Sequence, residues 1–255
     1  MLSDKQFFRY QRQIALPEIG EQGQAALSHS HVLMIGCGGL GSAASLYLAA
    51  AGVGKLVVVD DDVVDSSNLQ RQVIYREADL GQSKSDTTKA QLLALNPMVN
   101  VRALSQRLEH SQLQLEVMLA DLVLDCTDNL ATRHQISQVC FAHKTPLVSA
   151  AAIGWQGQFA VFDYSQDDQK KGCYRCLVPF DELPTKQRCS DSGVVGPVVG
   201  TLGNYQALAA IQKLATGRFG IETGQLHLFD GLRMQWQTLS ISKDEQCPVC
   251  ANYLD

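Results

Sequence analysis

Residues 31–62 read HVLMIGCGGLGSAASLYLAAAGVGKLVVVDDD, and the architecture of the chain follows from them. His31–Ile35 is a short β-branched and apolar run that ends at Gly36-Cys37-Gly38-Gly39-Leu40-Gly41. Leu40–Ala51 then carries small and apolar residues at helical spacing, Gly52 and Gly54 stop it, and Lys55–Val59 is a second apolar strand ending at Asp60. Strand, glycine turn, helix and strand in this order form a βαβ unit. Its glycines let the backbone turn tightly and approach a phosphate, and the helix N-terminus behind them offers unpaired N–H groups and a positive dipole end. Asp60, at the tip of the second strand, is placed to accept hydrogen bonds from a ribose. The alternative use of such a turn is close helix–sheet packing with no ligand.

The rest of the chain extends this unit. Ser3 caps an amphipathic helix through FFRYQRQIAL, ended by Pro17 and Gly20, and Glu21–Ser28 reads as a second short helix. After Asp60 a polar loop brings Asn68, Gln70 and Arg71 to the carboxyl edge of the sheet, near the glycine turn. Gly81–Lys84 leads into a helix running to about Leu95, and a strand over Asn100–Leu104, a helix including Leu113–Leu119 and a buried strand over Asp121–Asp125 follow. Asn129 caps a helix running to His143, and Pro146–Ala150 is a fifth strand. This alternation predicts a doubly wound, mainly parallel α/β sheet. From Gly157 the pattern changes: Gln158–Tyr164 alternates as an antiparallel strand, a helix spans Val199–Ala215, and late strands cover Gln225–Phe229 and Gln235–Ile241. No linker or repeat divides residues 1–255, so the expectation is one domain with a small metal module.

Composition narrows the function classes. Of 255 residues 45% are hydrophobic and 18% charged, which suits a globular chain with a sizeable core. A net charge of −5 argues against nucleic acid as the main partner. No apolar run approaches the ~18 residues of a membrane helix and no signal core is present, so a cytoplasmic location is expected. The eight cysteines then point to metal or chemistry rather than disulfides.

Two C-x-x-C pairs, Cys173/Cys176 and Cys247/Cys250, have the spacing of paired zinc knuckles, with redox chemistry as the alternative. Four thiolates leave no open position, so such a zinc would be structural. Arg71, Lys84 and Asp128 share the carboxyl edge with the glycine turn. They supply what a nucleotide triphosphate needs: cations for its oxygens and a carboxylate for Mg²⁺. Cys189 stands apart in a polar segment where Lys186 and Arg188 favour a thiolate. Cys37, Cys126 and Cys140 read as small buried hydrophobes, and His134 and His143 as helix-surface residues.

Taken as a set, RYQRQ, GCGGLGSAASLYLAAAGVG, VVDDD, SNLQRQ, the lysine of GQSKSD, DCTDN, CYRC, GVVGPVVG, LFDG and CPVC resemble the ThiF/MoeB/HesA family, relatives of the ubiquitin-activating enzymes. The resemblance covers nearly the whole chain. It implies a Rossmann-like fold with antiparallel C-terminal strands and a four-cysteine zinc module. It also implies Mg-ATP-dependent adenylation of the C-terminal glycine of a small ubiquitin-like sulfur carrier, with release of pyrophosphate. By motif, Gly38, Gly39, Gly41 and Asp60 would hold the nucleotide, with Ser67, Asn68, Gln70, Arg71, Lys84 and Asn129 around it and Asp128 linked to Mg²⁺. Arg12 would reach into the partner's site in a homodimer, and Cys189 matches a loop cysteine of sulfur transfer. CTDNLATR and GVVGPVVG are closer to the thiamine branch, with a ThiS-like carrier ending in Gly-Gly, than to the molybdopterin branch. With no room for a rhodanese extension, sulfur is expected from a separate donor. Two other classes compete: a nicotinamide-dependent oxidoreductase and a non-catalytic nucleotide-binding scaffold.

Overall fold

The computed structural model describes residues 2–165, 171–182 and 193–251. The expected elements are present: α1 (Asp4–Ile14), α2 (Gly20–His29), β1 (His31–Ile35), α3 (Gly39–Ala51), β2 (Lys55–Val59), α4 (Lys84–Leu95), β3 (Asn100–Leu104), α5 (His110–Leu119), β4 (Leu122–Asp125), α6 (Leu130–Ala142) and β5 (Leu147–Ile153). Beyond them lie β6 (Gln156–Phe162), the single turn α7 (Tyr174–Leu177), α8 (Gly196–Thr216), β7 (Gln225–Asp230) and β8 (Gln235–Ser240). The main departures from the sequence reading are at ends. β5 continues to Ile153 and β6 starts at Gln156, because the two pair antiparallel through Ile153↔Gln156 around a tight turn. α8 begins at Gly196, with Pro197 in its first turn, where a missing N–H costs nothing.

The eight strands among the described residues join one sheet in the order β3-β2-β1-β4-β5-β6-β7-β8. β1 to β5 pair parallel with one another, whereas β6, β7 and β8 are antiparallel additions. The central strands alternate their side chains between two cores. Val32, Met34, Leu56, Val58, Leu122 and Leu124 meet α3 and α8 on one face through Leu40, Ala44, Leu48, Leu202 and Ala210. Leu33, Ile35, Val57, Val59 and Val123 meet α5 and α6 on the other through Leu113, Val117, Ile136 and Val139. Burial on both faces explains why these strands read as continuous apolar runs. α1 docks through Tyr10, whose hydroxyl accepts from Asn96 Nδ2 at 2.8 Å.

The approach of α3 to β1 admits no side chain. A Cβ at Gly41 would lie 2.1 Å from the carbonyl oxygen of Gly36, a backbone atom that cannot step aside. Gly41→Ala is therefore expected to lower stability by at least about 2 kcal/mol, measured by denaturant unfolding; a change within a few tenths would show that α3 can shift freely.

Candidate active site

The first βα turn is held from beneath. Gly36 has φ +97°, and the following N–H of Cys37 donates to Asp60 Oδ2 at 2.7 Å. Asp60 Oδ1 accepts the N–H of Asp62 at 2.9 Å. Burial raises the Asp60 carboxyl's pKa, and these two N–H bonds together with nearby Lys84 oppose the shift. The residue expected to meet a ribose thus also braces the glycine turn, and each of its oxygens retains a lone pair for a further donor. Tyr75, buried, donates its hydroxyl to Cys37 O at 2.7 Å and lies 3.1 Å from Thr88 Oγ1. No side chain caps α3 at Gly38, so its first N–H groups are left for a ligand.

Around this turn opens a cleft of about 1490 Å³ on the carboxyl edge of the sheet. Gly38, Gly39, Asp60, Ser67, Asn68, Gln70, Arg71, Lys84, Asp128 and Asn129 all line it. Gly41 does not; it serves the packing of α3. Arg71 Nη1 donates to Ser67 O at 3.0 Å, which arches the loop over itself. Lys84, 6% exposed at the start of α4, pairs through Nζ with Asp62 Oδ2 at 2.9 Å. Asn129 Oδ1 caps α6 by accepting the N–H of Thr132 at 3.0 Å, and Asp128 beside it is exposed. The arrangement offers two cations, free backbone N–H groups and an exposed carboxylate to one ligand. Among the described residues, no histidine lines it.

The turn that carries Asp128 rests on a buried polar network. Asp125 Oδ1 accepts from the N–H and the hydroxyl of Thr127, at 3.0 and 2.7 Å. Its Oδ2 accepts from Ser149 Oγ at 2.8 Å and Arg133 Nη1 at 3.2 Å. On the α8 side, Gln206 Nε2 donates to the carbonyls of Asp125 and Val148 at 2.8 and 3.2 Å. Tyr75, Arg133 and Gln206 went unnoticed in the sequence. Tyr75 stands in a loop and the other two on helices, and only contacts made by the fold, to Cys37, Ala150 and Val148 respectively, give them meaning.

The four cysteines of the two C-x-x-C pairs converge, their sulfurs all within 4.8 Å of one another. Individual separations are 3.9 Å for Cys173–Cys176, 3.6 Å for Cys173–Cys247 and 3.4 Å for Cys176–Cys250. A tetrahedron with metal–sulfur bonds of about 2.3 Å has edges of about 3.8 Å, so the donor set fits zinc. Burial pushes the Cys173 and Cys250 thiols up, as expected of a site that gains its thiolates from a cation. His134 departs from the surface role expected of it. It is half-buried, sits edge-on to Tyr174, and its Nε2 lies 3.1 Å from Phe180 O, so it seats the cysteine knuckle on α6. His143 is exposed, as expected. Arg12 is exposed in the last turn of α1 and is not among the residues lining its own chain's cleft. Cys189 lies outside the described residues.

This geometry agrees with the comparisons to known proteins. The ThiF family model matches residues 10–249. The chain belongs to the ThiF family. It is 48% identical over 251 residues to the sulfur carrier protein ThiS adenylyltransferase of Escherichia coli K12, covering 98% of this chain and 97% of that protein. It is 42% identical over 250 residues to the molybdopterin-synthase adenylyltransferase of the same strain, covering 98% of each. Among solved structures, E. coli MccB with ATP superposes with a TM-score of 0.77 at 20% identity, over 91% of this chain and 70% of that one. At that identity the likeness speaks for the fold alone. This ThiF family member combines a mainly parallel sheet with a glycine turn at its carboxyl edge and a cluster of four cysteines.

Proposed function

We propose that this protein adenylates the C-terminal glycine carboxylate of a ThiS-like, ubiquitin-like sulfur carrier with Mg-ATP, ahead of thiocarboxylate formation for thiamine thiazole. The observation that carries the reading is the donor set of the cleft, in a chain 48% identical to a ThiS adenylyltransferase over nearly its full length. A carboxylate is a weak nucleophile, and it must approach an anionic triphosphate. What the protein has to supply is charge neutralisation and in-line positioning, without a general base. Arg71, Lys84, the N-terminus of α3 and, by its carboxylate for Mg²⁺, Asp128 answer that need. The carrier's carboxylate oxygen bonds to the α-phosphorus, the α–β bridge breaks, and pyrophosphate leaves with the metal. The cleft continues past the nucleotide end to Leu226, Leu228 and Trp236 on β7 and β8, and its volume exceeds the roughly 300–1,000 Å³ of an ordinary small-molecule pocket. That surplus suits an extended carrier tail ending in Gly-Gly.

Residues 1–255 act as one unit on this reading, supported by a single continuous sheet. Zinc in the four-cysteine cluster has a structural role. The working form is a homodimer in which Arg12 enters the partner's cleft, and sulfur arrives from a separate donor. A cytoplasmic location fits the absence, among the described residues, of any helix long and apolar enough to cross a membrane. The 42% identity to a molybdopterin-synthase adenylyltransferase keeps a MoaD-like carrier as the second reading, and parallel assays with both carriers separate the two. Family membership sets aside the nicotinamide-dependent oxidoreductase and the non-catalytic scaffold.

Carrier-dependent ATP–pyrophosphate exchange is expected, reduced at least about 10²-fold by Asp128→Ala. Mixing Asp128→Ala with Arg12→Ala chains should restore part of it, since one hybrid site then holds both native residues. Full exchange by folded Asp128→Ala would remove that residue from the site, and absence of rescue despite subunit exchange would remove Arg12. Metal analysis should find one zinc per chain in the native protein and none in Cys250→Ser, with a lower Tm; unchanged zinc in the variant would refute the cluster as its site. Cys189→Ser should retain pyrophosphate exchange and lose carrier thiocarboxylate formation, followed by mass spectrometry with a persulfide donor present. Thiocarboxylate at the native rate would make Cys189 a bystander.

A further inference from the structure

Arg133 is an unusual residue to find beneath an ATP-binding turn. It is only 7% exposed, yet nothing in the reaction requires it to touch a substrate. Its guanidinium bridges the end of β4 and its turn, the strand β5, and Tyr174. Nη1 donates to Asp125 Oδ2 and to Ser149 Oγ, each at 3.2 Å. Nη2 donates to Ala150 O at 2.7 Å and to the carbonyl of Thr127. The Tyr174 hydroxyl, between Cys173 and Cys176, is a further hydrogen-bond partner of the same group.

The contact with Thr127 is the telling one. Asp125 holds the N–H and hydroxyl of Thr127, and Arg133 holds its carbonyl. That carbonyl belongs to the peptide unit joining Thr127 to Asp128, so fixing it fixes the plane from which Asp128 departs. Asp128 itself has no hydrogen bond or ion pair of its own among the described residues and is exposed to the cleft. Its direction is therefore set through the backbone behind it.

We infer that Arg133 is a positioning residue for the reaction: by clamping the Thr127–Asp128 peptide against Asp125, it aims the Asp128 carboxylate at the metal carried by ATP. This rests on the proposed role of Asp128 and adds a residue that acts through it. A guanidinium suits the task because its fork reaches an acid and two carbonyls in one plane. A lysine ammonium at the same place keeps the charge beside Asp125 but cannot hold all three acceptors in that plane.

The test measures binding of a non-hydrolysable ATP analogue by calorimetry with and without Mg²⁺, and the Mg²⁺ concentration for half-maximal pyrophosphate exchange. Arg133→Lys is expected to leave the Mg²⁺-free affinity unchanged, weaken the Mg²⁺-dependent affinity about ten-fold and raise the half-maximal Mg²⁺ by a similar factor. Thr127→Val, which loses only the hydroxyl bond to Asp125, should shift both in the same direction and decides the matter if Arg133→Lys does not fold. In an Asp128→Ala background neither change should weaken binding further, because the residues act through one carboxylate. Equal losses with and without Mg²⁺, or losses that add to that of Asp128→Ala, would overturn the inference and leave Arg133 with a purely structural role. Full Mg²⁺-dependent binding by Asp128→Ala would overturn the reading of Asp128 and this inference with it. Loss there, with native Mg²⁺ dependence in Arg133→Lys and Thr127→Val, would overturn the inference alone.

Discussion

The backbone of α3 lies directly against the end of β1, and the rest of the molecule depends on that contact. With Gly41 where a Cβ would meet Gly36 O at 2.1 Å, the helix can start at Gly39, immediately above the strand. Its N-terminus then faces the carboxyl edge of the sheet, where open α/β folds bind ligands. The turn between them contributes backbone, not side chains, to the cleft. Asp60 and Tyr75 supply the side-chain support from the neighbouring strand and loop. The nucleotide end of the cleft is thus preorganised by packing before any ligand arrives.

The second half of the site is built differently. The turn after β4 is supported by buried polar groups, with Asp125 and Arg133 at the centre. A buried ion pair of this kind contributes little net stability, because desolvating both charges offsets their attraction, whereas removing one partner costs about 3–5 kcal/mol. Its value is geometric. Hydrogen bonds from Arg133 on α6 and Gln206 on α8 tie down the ends of β4 and β5, so the turn cannot drift relative to the glycine turn on β1.

The cysteine cluster extends this bracing to the antiparallel part of the chain. It joins segments 74 residues apart, and sulfur separations of 3.4 to 3.9 Å are far longer than the 2.05 Å of a disulfide bond. The knuckle that carries Cys173 and Cys176 also carries Tyr174, which packs on His134 and meets Arg133. Beneath Asp128, the four-cysteine cluster and the edge of the cleft therefore share one side-chain network.

Several features were legible in the residues alone because their causes are local. Continuous apolar runs of strand length, helix caps at Ser3 and Asn129, and the glycine turn before α3 depend on near neighbours, so β1 to β5 and their helices could be placed within a residue or a few. The paired cysteines were legible because each pair sits at a fixed short spacing. Cleft residues such as Arg71, Lys84 and Asp128 could be gathered because every strand end in a parallel sheet delivers its loop to the same edge. What the tertiary structure decided is everything carried by long-range contact. That β6, β7 and β8 continue the same sheet depends on pairing across more than 60 residues, as between Gln156 and Asp230. That Asp60 braces Cys37, that Gln206 closes the ends of β4 and β5, and that His134 turns inward leave no periodic or compositional trace. Arg133 shows the same: in sequence it is one more cation on a helix, and only the fold sets its guanidinium against Ser149 Oγ and the Ala150 carbonyl on β5. A hydrogen bond between segments far apart in the chain is specified by the fold that brings them together, so it cannot be read before that fold is known.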